Sequence, residues 1–172
     1  DDILNFFFMA FCDAERPVAF PTISYGFYPV YAELYNLPAT VIPLKEGFTI
    51  DAEDYCALQQ NIVIANPNAP TGRTIPVSDI EKILRTNPNH VVLIDEAYID
   101  FGGESCYRLI DAYDNLLVCR TFSKSRSMAG GRLGFAFGSR ALIEDLNRIK
   151  YSTNPYSINR LTMAAAEAAV DS

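Results

Sequence analysis

Short, uniformly apolar runs alternate along the chain with longer stretches in which apolar residues recur every three or four positions. The short runs predict buried β-strands: "PVAF", "ATVIPL", "NIVIAN", "HVVLIDEAY", "NLLVCRTFS" and "RLGFAFGS". The longer stretches predict helices: "DDILNFFFMAF", the turn and helix of "PTISYGFYPVYAELYN", "DAEDYCALQ" with Asp51 as its cap, "PVSDIEKILRTN", "RALIEDLNRIK" and "SINRLTMAAAEAAVDS". This alternation indicates a three-layer α/β/α fold with a mostly parallel sheet covered on both faces.

The domain organisation follows from one change in composition near the end of the chain. Residues 1–150 are predicted to form one domain around this sheet. The stretch "YSTNPYS", residues 151–157, is polar and contains proline, and it predicts a linker to a last alanine-rich helix. We expect residues 151–172 to lead towards a smaller domain that this chain lacks, so the sequence is expected to be part of a longer protein.

Composition and charge exclude several classes of function. The 172 residues carry 14 Lys and Arg against 21 Asp and Glu, a net charge of −7, which argues against binding of nucleic acid or of an anionic membrane surface. No apolar run reaches the roughly 18 residues that span a bilayer, and the first residues lack the basic flank of a signal peptide. Because the four cysteines suggest no disulfide framework, a reducing cytoplasm is the default location.

The cysteines do not form a recognisable metal or disulfide pattern. They are far apart, include no CxxC pair and are accompanied by a single histidine; they are Cys12, Cys56, Cys106 and Cys119, with His90. The sequence therefore predicts neither a zinc site nor a disulfide framework.

Polar residues follow three of the predicted strands, at positions 66–72, 95–98 and 121–132. Ligands of open parallel sheets bind at the carboxyl ends of strands, so these positions are the candidate site. Asp95 ends the apolar strand "VVLIDE", where burial costs several kcal/mol unless a cation or a hydrogen-bond donor meets the carboxylate. It can instead cap the next helix or pair with a structural arginine. A P-loop nucleotidase is excluded, because the chain has no G-x-x-x-x-G-K-[ST] motif.

The other two stretches each allow a structural and a functional interpretation. "ANPNAPTGR" is either a strand-to-helix connection or a loop held close to a ligand. "SKSRS" alone is typical of a flexible basic loop or a modification site. Hydroxyl groups and Arg132 around one point would instead form a phosphate cradle, in which Lys124 is placed to meet an aldehyde whose phosphate is bound nearby.

Taken together, "NPNAPTG", "IDEAYIDF" and "TFSKSRSMAGGRLGF" resemble the fold-type I pyridoxal-phosphate aminotransferases. The motifs occur in the family's order, with 26 residues from Ala69 to Asp95 and 29 from Asp95 to Lys124. The stretch "SYGFYPVYAELY" adds to the resemblance, which is greatest to the family's histidinol-phosphate aminotransferases and covers the whole chain as its cofactor-binding large domain.

The resemblance implies roles for four residues around the cofactor ring. Lys124 matches the lysine that forms the Schiff base with pyridoxal phosphate and later moves a proton. Asp95 matches the aspartate that pairs with the pyridine nitrogen. Tyr98 matches the tyrosine that donates to the phenolic oxygen. Tyr25 matches the aromatic residue that stacks on the ring, although it can also be a core tyrosine.

Four further residues match ligands of the phosphate or of the phenolic oxygen. Ser123, Arg132 and Thr121 correspond to phosphate ligands. The family usually has asparagine directly before P-T-G; this chain has Ala69 there and Asn68 one position earlier. Asn68 is therefore the candidate for that role.

For the parent protein, the resemblance implies transamination between an amino donor and a 2-oxo acid, expected to be histidinol phosphate and 2-oxoglutarate in histidine biosynthesis. It also implies a homodimer, a phosphate loop upstream of this chain and a downstream domain with an arginine, so the chain alone is expected to be inactive. Two alternatives remain: another enzyme of the fold, such as an aromatic aminotransferase or a threonine-phosphate decarboxylase, and a non-catalytic sensor domain of a transcription regulator.

Overall fold

The computed structural model describes residues 1–171 and confirms an α/β fold with a mostly parallel sheet. The strands of the described chain are β1 (Val18–Pro21), β2 (Ala39–Ile42), β3 (Asn61–Ala65), β4 (Val92–Asp95), β5 (Leu116–Thr121) and β6 (Gly134–Gly138). The helices are α1 (Asp2–Phe11), α2 (Phe27–Leu34), α3 (Val77–Thr86), α4 (Arg140–Thr153) and α5 (Arg160–Asp171). The sheet order is β2-β1-β3-β4-β5-β6; β1 to β5 are parallel, and β6 is antiparallel to β5.

Alternation along the central strands produces the three layers. In β3, Ile62 and Ile64 pack with the side chains of α3, whereas Val63 faces the opposite side, where α1, α2 and α4 lie. Leu93 of β4 shares the face of Val63. Because successive side chains of a strand point to opposite faces, Asp95 lies on the same face as Leu93 and is directed towards α2.

One predicted helix is shorter than expected. "DAEDYCALQ" was expected to be helical, but it forms a 3-10 turn limited to Ala52–Tyr55. Asp51 does cap this turn, accepting a hydrogen bond of 3.0 Å from the backbone N–H of Glu53. The helix stops because the backbone becomes extended at Cys56 and takes a positive φ at Ala57.

Two further boundaries differ from the sequence expectation. β4 ends at Asp95, whereas the apolar pattern extended the strand to Tyr98; the chain turns there into a 3-10 segment that begins at Ile99. α4 continues to Thr153, three residues into the stretch that was predicted to be a linker. Within residues 1–171, no helix combines the length and the apolar character that crossing a bilayer requires.

The packing predicts where truncation of a leucine destabilises the fold. Leu93 is fully buried in β4, whereas Leu161 of α5 is 84% exposed. We expect Leu93→Ala to lower the free energy of unfolding by about 2–5 kcal/mol and Leu161→Ala to change it by less than about 0.5 kcal/mol. Urea denaturation followed by circular dichroism measures both; equal losses would contradict the assigned core.

Candidate active site

The carboxyl ends of β3, β4 and β5 lie at one level of the sheet. The register pairs Ala65 with Asp95 and Asp95 with Cys119, so the loops that follow the three strands meet at the same edge. A cavity of about 480 Å³ opens there. Its lining includes seven of the eight residues predicted from the sequence: Tyr25, Asp95, Tyr98, Thr121, Ser123, Lys124 and Arg132.

Asp95 is a buried carboxylate held by neutral donors. The Tyr28 hydroxyl donates to Oδ2 at 2.9 Å, and the backbone N–H of Ala97 donates to Oδ1 at 3.1 Å. Burial raises the pKa of the Asp95 carboxyl above its usual range, and the hydrogen bonds from Tyr28, Ala97 and the Cys119 thiol partly oppose that rise. No salt bridge within residues 1–171 includes Asp95. Within the described residues, Asp95 therefore does not pair with a structural arginine.

Arg120 pairs with Glu96, the residue that follows Asp95, and not with Asp95 itself. Arg120 donates from Nε to Oε2 of Glu96 at 2.9 Å, and Glu96 is 1% exposed. The hydroxyl of Ser105 and the N–H of Cys106 also donate to this carboxylate. The pair fixes the end of β5 against the loop after β4. Sequence reasoning missed it, although an arginine within the apolar run "LLVCRTF" was a signal.

Lys124 and Tyr98 come from different loops and meet at the cavity. The Lys124 Nζ lies 5.2 Å from the centre of the Tyr98 ring. A turn after β5 presents the lysine, closed by a 3.0 Å hydrogen bond from the Ser127 N–H to the Lys124 carbonyl. The Ser125 hydroxyl donates to the Asp100 carboxylate and thereby joins the two loops.

Arg132 is positioned by a residue that the sequence did not single out. Its backbone is left-handed, with φ of 53°, and its NH2 group donates to Asp1 Oδ2 at 2.7 Å. The other Asp1 oxygen accepts a hydrogen bond of 2.8 Å from the Tyr25 hydroxyl. Asp1, Asp2 and Ile3 line the cavity, so the N-terminus of α1 opens onto it. An acidic pair at a helix start was the only signal for this contact.

Thr121 and Ser123 line the cavity beside Lys124. The Thr121 hydroxyl accepts from the backbone N–H of Ser123 at 3.1 Å and donates to the Leu133 carbonyl at 3.3 Å. Thr121 therefore holds the turn in shape as well as facing the cavity.

Asn68 is the predicted residue that the structure does not bring to the cavity. Its Nδ2 donates to the Ile23 carbonyl at 2.9 Å and to the Thr71 hydroxyl at 3.0 Å, and its Oδ1 accepts from the Ser24 hydroxyl at 2.8 Å. These bonds use the amide to tie the loop after β3 to the chain before α2. Ala69, at the family's asparagine position, lines the cavity instead.

A carboxylate, an amine and a guanidinium thus line one cavity. The family model of the class I and II aminotransferases matches residues 1–172. The chain belongs to this aminotransferase family. It is 51% identical over 172 residues to histidinol-phosphate aminotransferase 2 of Dechloromonas aromatica, covering 99% of this chain and 48% of that protein. It is 53% identical over 173 residues to histidinol-phosphate aminotransferase 1 of Bordetella parapertussis, covering 99% and 49%.

Solved structures of aminotransferases share the fold. The histidinol-phosphate aminotransferase of Clostridium acetobutylicum superposes with a TM-score of 0.85 at 27% identity, over 95% of this chain and 50% of that one. The aspartate aminotransferase of Thermus thermophilus gives 0.85 at 23% identity, over 99% and 47%, which shows the fold alone. The chain spans about half the length of the curated relatives that it matches.

Burial of Asp95 predicts a pH-dependent effect on stability in this aminotransferase chain without cofactor. A carboxyl whose pKa is raised by folding contributes stability below its unfolded pKa, about 4, and loses that contribution as the pH rises through the folded value. We therefore expect Asp95→Asn to be more stable than the wild type at pH 7 and the difference to shrink towards pH 3. Urea denaturation at several pH values measures this.

The exposed Asp13 provides the control of opposite sign. Hydrogen bonds from Arg16 lower the pKa of its carboxyl, so its contribution is present at pH 7 and is lost as the pH falls. Asp13→Asn should lose stability at pH 7 and not at pH 3. A stability difference for Asp95→Asn that is the same at both pH values would contradict the burial argument.

Proposed function

We propose that the protein containing this chain is a pyridoxal-phosphate-dependent aminotransferase that transfers an amino group between histidinol phosphate and 2-oxoglutarate in histidine biosynthesis. The observation that carries the proposal is the meeting of Asp95, from the end of β4, with Lys124 and Arg132, from the connection between β5 and β6, at one cavity. The relatives named histidinol-phosphate aminotransferase support the choice of substrate.

The residues of the cavity fit the three functional groups of pyridoxal phosphate. A pyridine nitrogen that carries a proton matches the buried Asp95 carboxylate, which forms no salt bridge among residues 1–171. An aldehyde matches the Lys124 amine. A phosphate matches Arg132, Ser123 and the start of α1, because guanidinium groups, hydroxyls and helix N-termini bind oxyanions. The volume of about 480 Å³ lies within the range of ligand pockets, roughly 300–1,000 Å³.

Bound pyridoxal phosphate supplies a ring that accepts electrons from the substrate carbon. With the cofactor bound, Lys124 would hold its aldehyde carbon through Nζ and, as a free amine, would move a proton at the same nitrogen. The Asp95 carboxylate would hold the proton of the ring nitrogen. Tyr98, beside the lysine, would donate its hydroxyl to the phenolic oxygen, and Tyr25 would pack against the ring.

Arg132 keeps hydrogen-bond donors available to orient the phosphate. A guanidinium has five N–H donors. In the described chain one is directed to Asp1 and one to the Ala129 carbonyl, which fixes the plane and leaves others for an oxyanion. Ser123 and Thr121 add hydroxyls at the same side, with Thr121 acting also through the turn that it holds.

Further proposals concern the domains, the location and the partners of the full-length protein. We propose that residues 1–150 form its cofactor-binding domain and that residues 151–172 lead to a second domain. We also propose that it is a cytoplasmic homodimer whose partners are the small amino donor and the 2-oxo acid. Asn68 is proposed to support the loop at the cavity edge, since its amide ties that loop to the chain before α2.

Reduction with borohydride tests the cofactor and the substrate together. In the full-length protein with pyridoxal phosphate, we expect borohydride to fix the cofactor onto Lys124, detected by mass spectrometry of tryptic peptides. Lys124→Ala should give no adduct, because the amine is lost. Lys82→Ala should keep it, because Lys82 pairs with Glu53 on the surface. Incubation with histidinol phosphate alone before reduction should remove the adduct at Lys124.

The outcomes separate the two parts of the proposal. An adduct absent from the wild-type protein would overturn the cofactor assignment. An adduct that phenylalanine removes, and histidinol phosphate does not, would keep the cofactor and overturn the substrate.

A further inference from the structure

Tyr28 is a fully buried tyrosine that contacts the candidate site without lining its cavity. It lies in α2, one turn after Tyr25, and its side chain is 0% exposed. Its hydroxyl donates to Oδ2 of Asp95 at 2.9 Å, across a sequence separation of 67 residues. A buried hydroxyl needs a hydrogen-bond partner, and Tyr28 finds it in the carboxylate.

The ring of Tyr28 also contacts the aromatic residue at the cavity wall. The ring centres of Tyr28 and Tyr25 are 5.7 Å apart with an interplanar angle of 79°, an edge-to-face contact. Phe20 of β1 packs on Tyr28, with ring centres 6.2 Å apart. Fixed in this way between the sheet and Tyr25, the ring of Tyr28 touches both the carboxylate and the aromatic ring that face the cavity.

The protonation state of Tyr28 makes it a donor. Burial, and next the charge of Asp95, hold the pKa of the Tyr28 hydroxyl well above its usual range, so it keeps its proton. The remaining titratable groups near Asp95 are the amino group of Asp1, whose charge lowers the Asp95 pKa, the Cys119 thiol from β5 and the Tyr25 hydroxyl from before α2. A thiol is a weak donor, and the Tyr25 hydroxyl is directed to Asp1. Tyr28 is therefore the strongest side-chain donor to this carboxylate.

We propose that Tyr28 is a positioning residue: its hydroxyl keeps Asp95 ionised and fixes the carboxylate plane. The proposal rests on the function proposed above. Ala97 and Tyr28 hold one carboxylate oxygen each, which prevents rotation. A carboxylate oxygen accepts two hydrogen bonds, so a position remains for a protonated ring nitrogen.

A titration without cofactor tests the action of Tyr28 on Asp95 directly. In the full-length, cofactor-free protein labelled with ¹³Cγ-aspartate, the Asp95 resonance is identified by its loss in Asp95→Asn. We expect Tyr28→Phe to raise the measured Asp95 pKa by about one unit or more, because a hydrogen bond to the charged form is removed. Tyr55→Phe is the matched control. Tyr55 is 1% exposed, and its hydroxyl has no partner in the described chain. This control should leave the Asp95 pKa unchanged.

A double-mutant cycle on cofactor affinity separates positioning from general destabilisation. Tyr28→Phe should weaken binding of pyridoxal phosphate about tenfold in the wild-type background and much less in the Asp95→Asn background, because the residue acts through that carboxylate. Equal weakening in both backgrounds, or an Asp95 pKa that does not move, would overturn the proposal.

The titration and the borohydride experiment together distinguish this inference from the proposed function. The Asp95 titration uses no cofactor, so a raised pKa in Tyr28→Phe together with no adduct at Lys124 would overturn the function and leave the pairing of Tyr28 with Asp95 established.

If Tyr28→Phe does not fold, 3-fluorotyrosine placed at position 28 by an amber codon keeps the ring and makes the hydroxyl a stronger donor. The Asp95 pKa should then fall, and an unchanged value would overturn the proposal.

Discussion

A carboxylate buried at the end of a central parallel strand is the constraint on which the rest of the site depends. Asp95 is 8% exposed and is surrounded by apolar strands. Burying an ionised group costs several kcal/mol unless charge or hydrogen bonds offset it. The hydrogen bonds to it come from a hydroxyl, an amide and a thiol, which are neutral. Neutral donors support the anion but do not neutralise it, so the carboxylate favours a cationic ligand in the cavity.

The sheet topology brings the complementary groups to that carboxylate. Because β3, β4 and β5 are parallel and end in register, their loops converge on one edge. Lys124 then lies in the loop after β5, opposite Tyr98 from the loop after β4. The ion pair of Arg120 with Glu96 holds the end of β5 against the loop after β4. The geometry of the site is thus a consequence of strand register together with one partly buried ion pair.

Much of this arrangement was predictable from the sequence because it depends on local pattern. Apolar runs located the strands, and polar residues directly after them located Asp95 and Lys124. Pairings across long sequence separations were not predictable, since no local pattern encodes them: Tyr28 with Asp95, Asp1 with Arg132, and Arg120 with Glu96. The role of Asn68 and the short turn at Ala52–Tyr55 also depend on neighbours distant in sequence, which override local propensity.

The most direct test of the central claim is the protonation state of the cofactor in the full-length protein. With pyridoxal phosphate labelled with ¹⁵N in its ring, the nitrogen chemical shift reports whether the ring carries a proton. An ionised Asp95 beside the ring predicts a protonated nitrogen from pH 6 to pH 9 in the wild type and an unprotonated one in Asp95→Asn at pH 9. An unprotonated nitrogen in the wild type at pH 7 would contradict the pairing of the buried carboxylate with the cofactor.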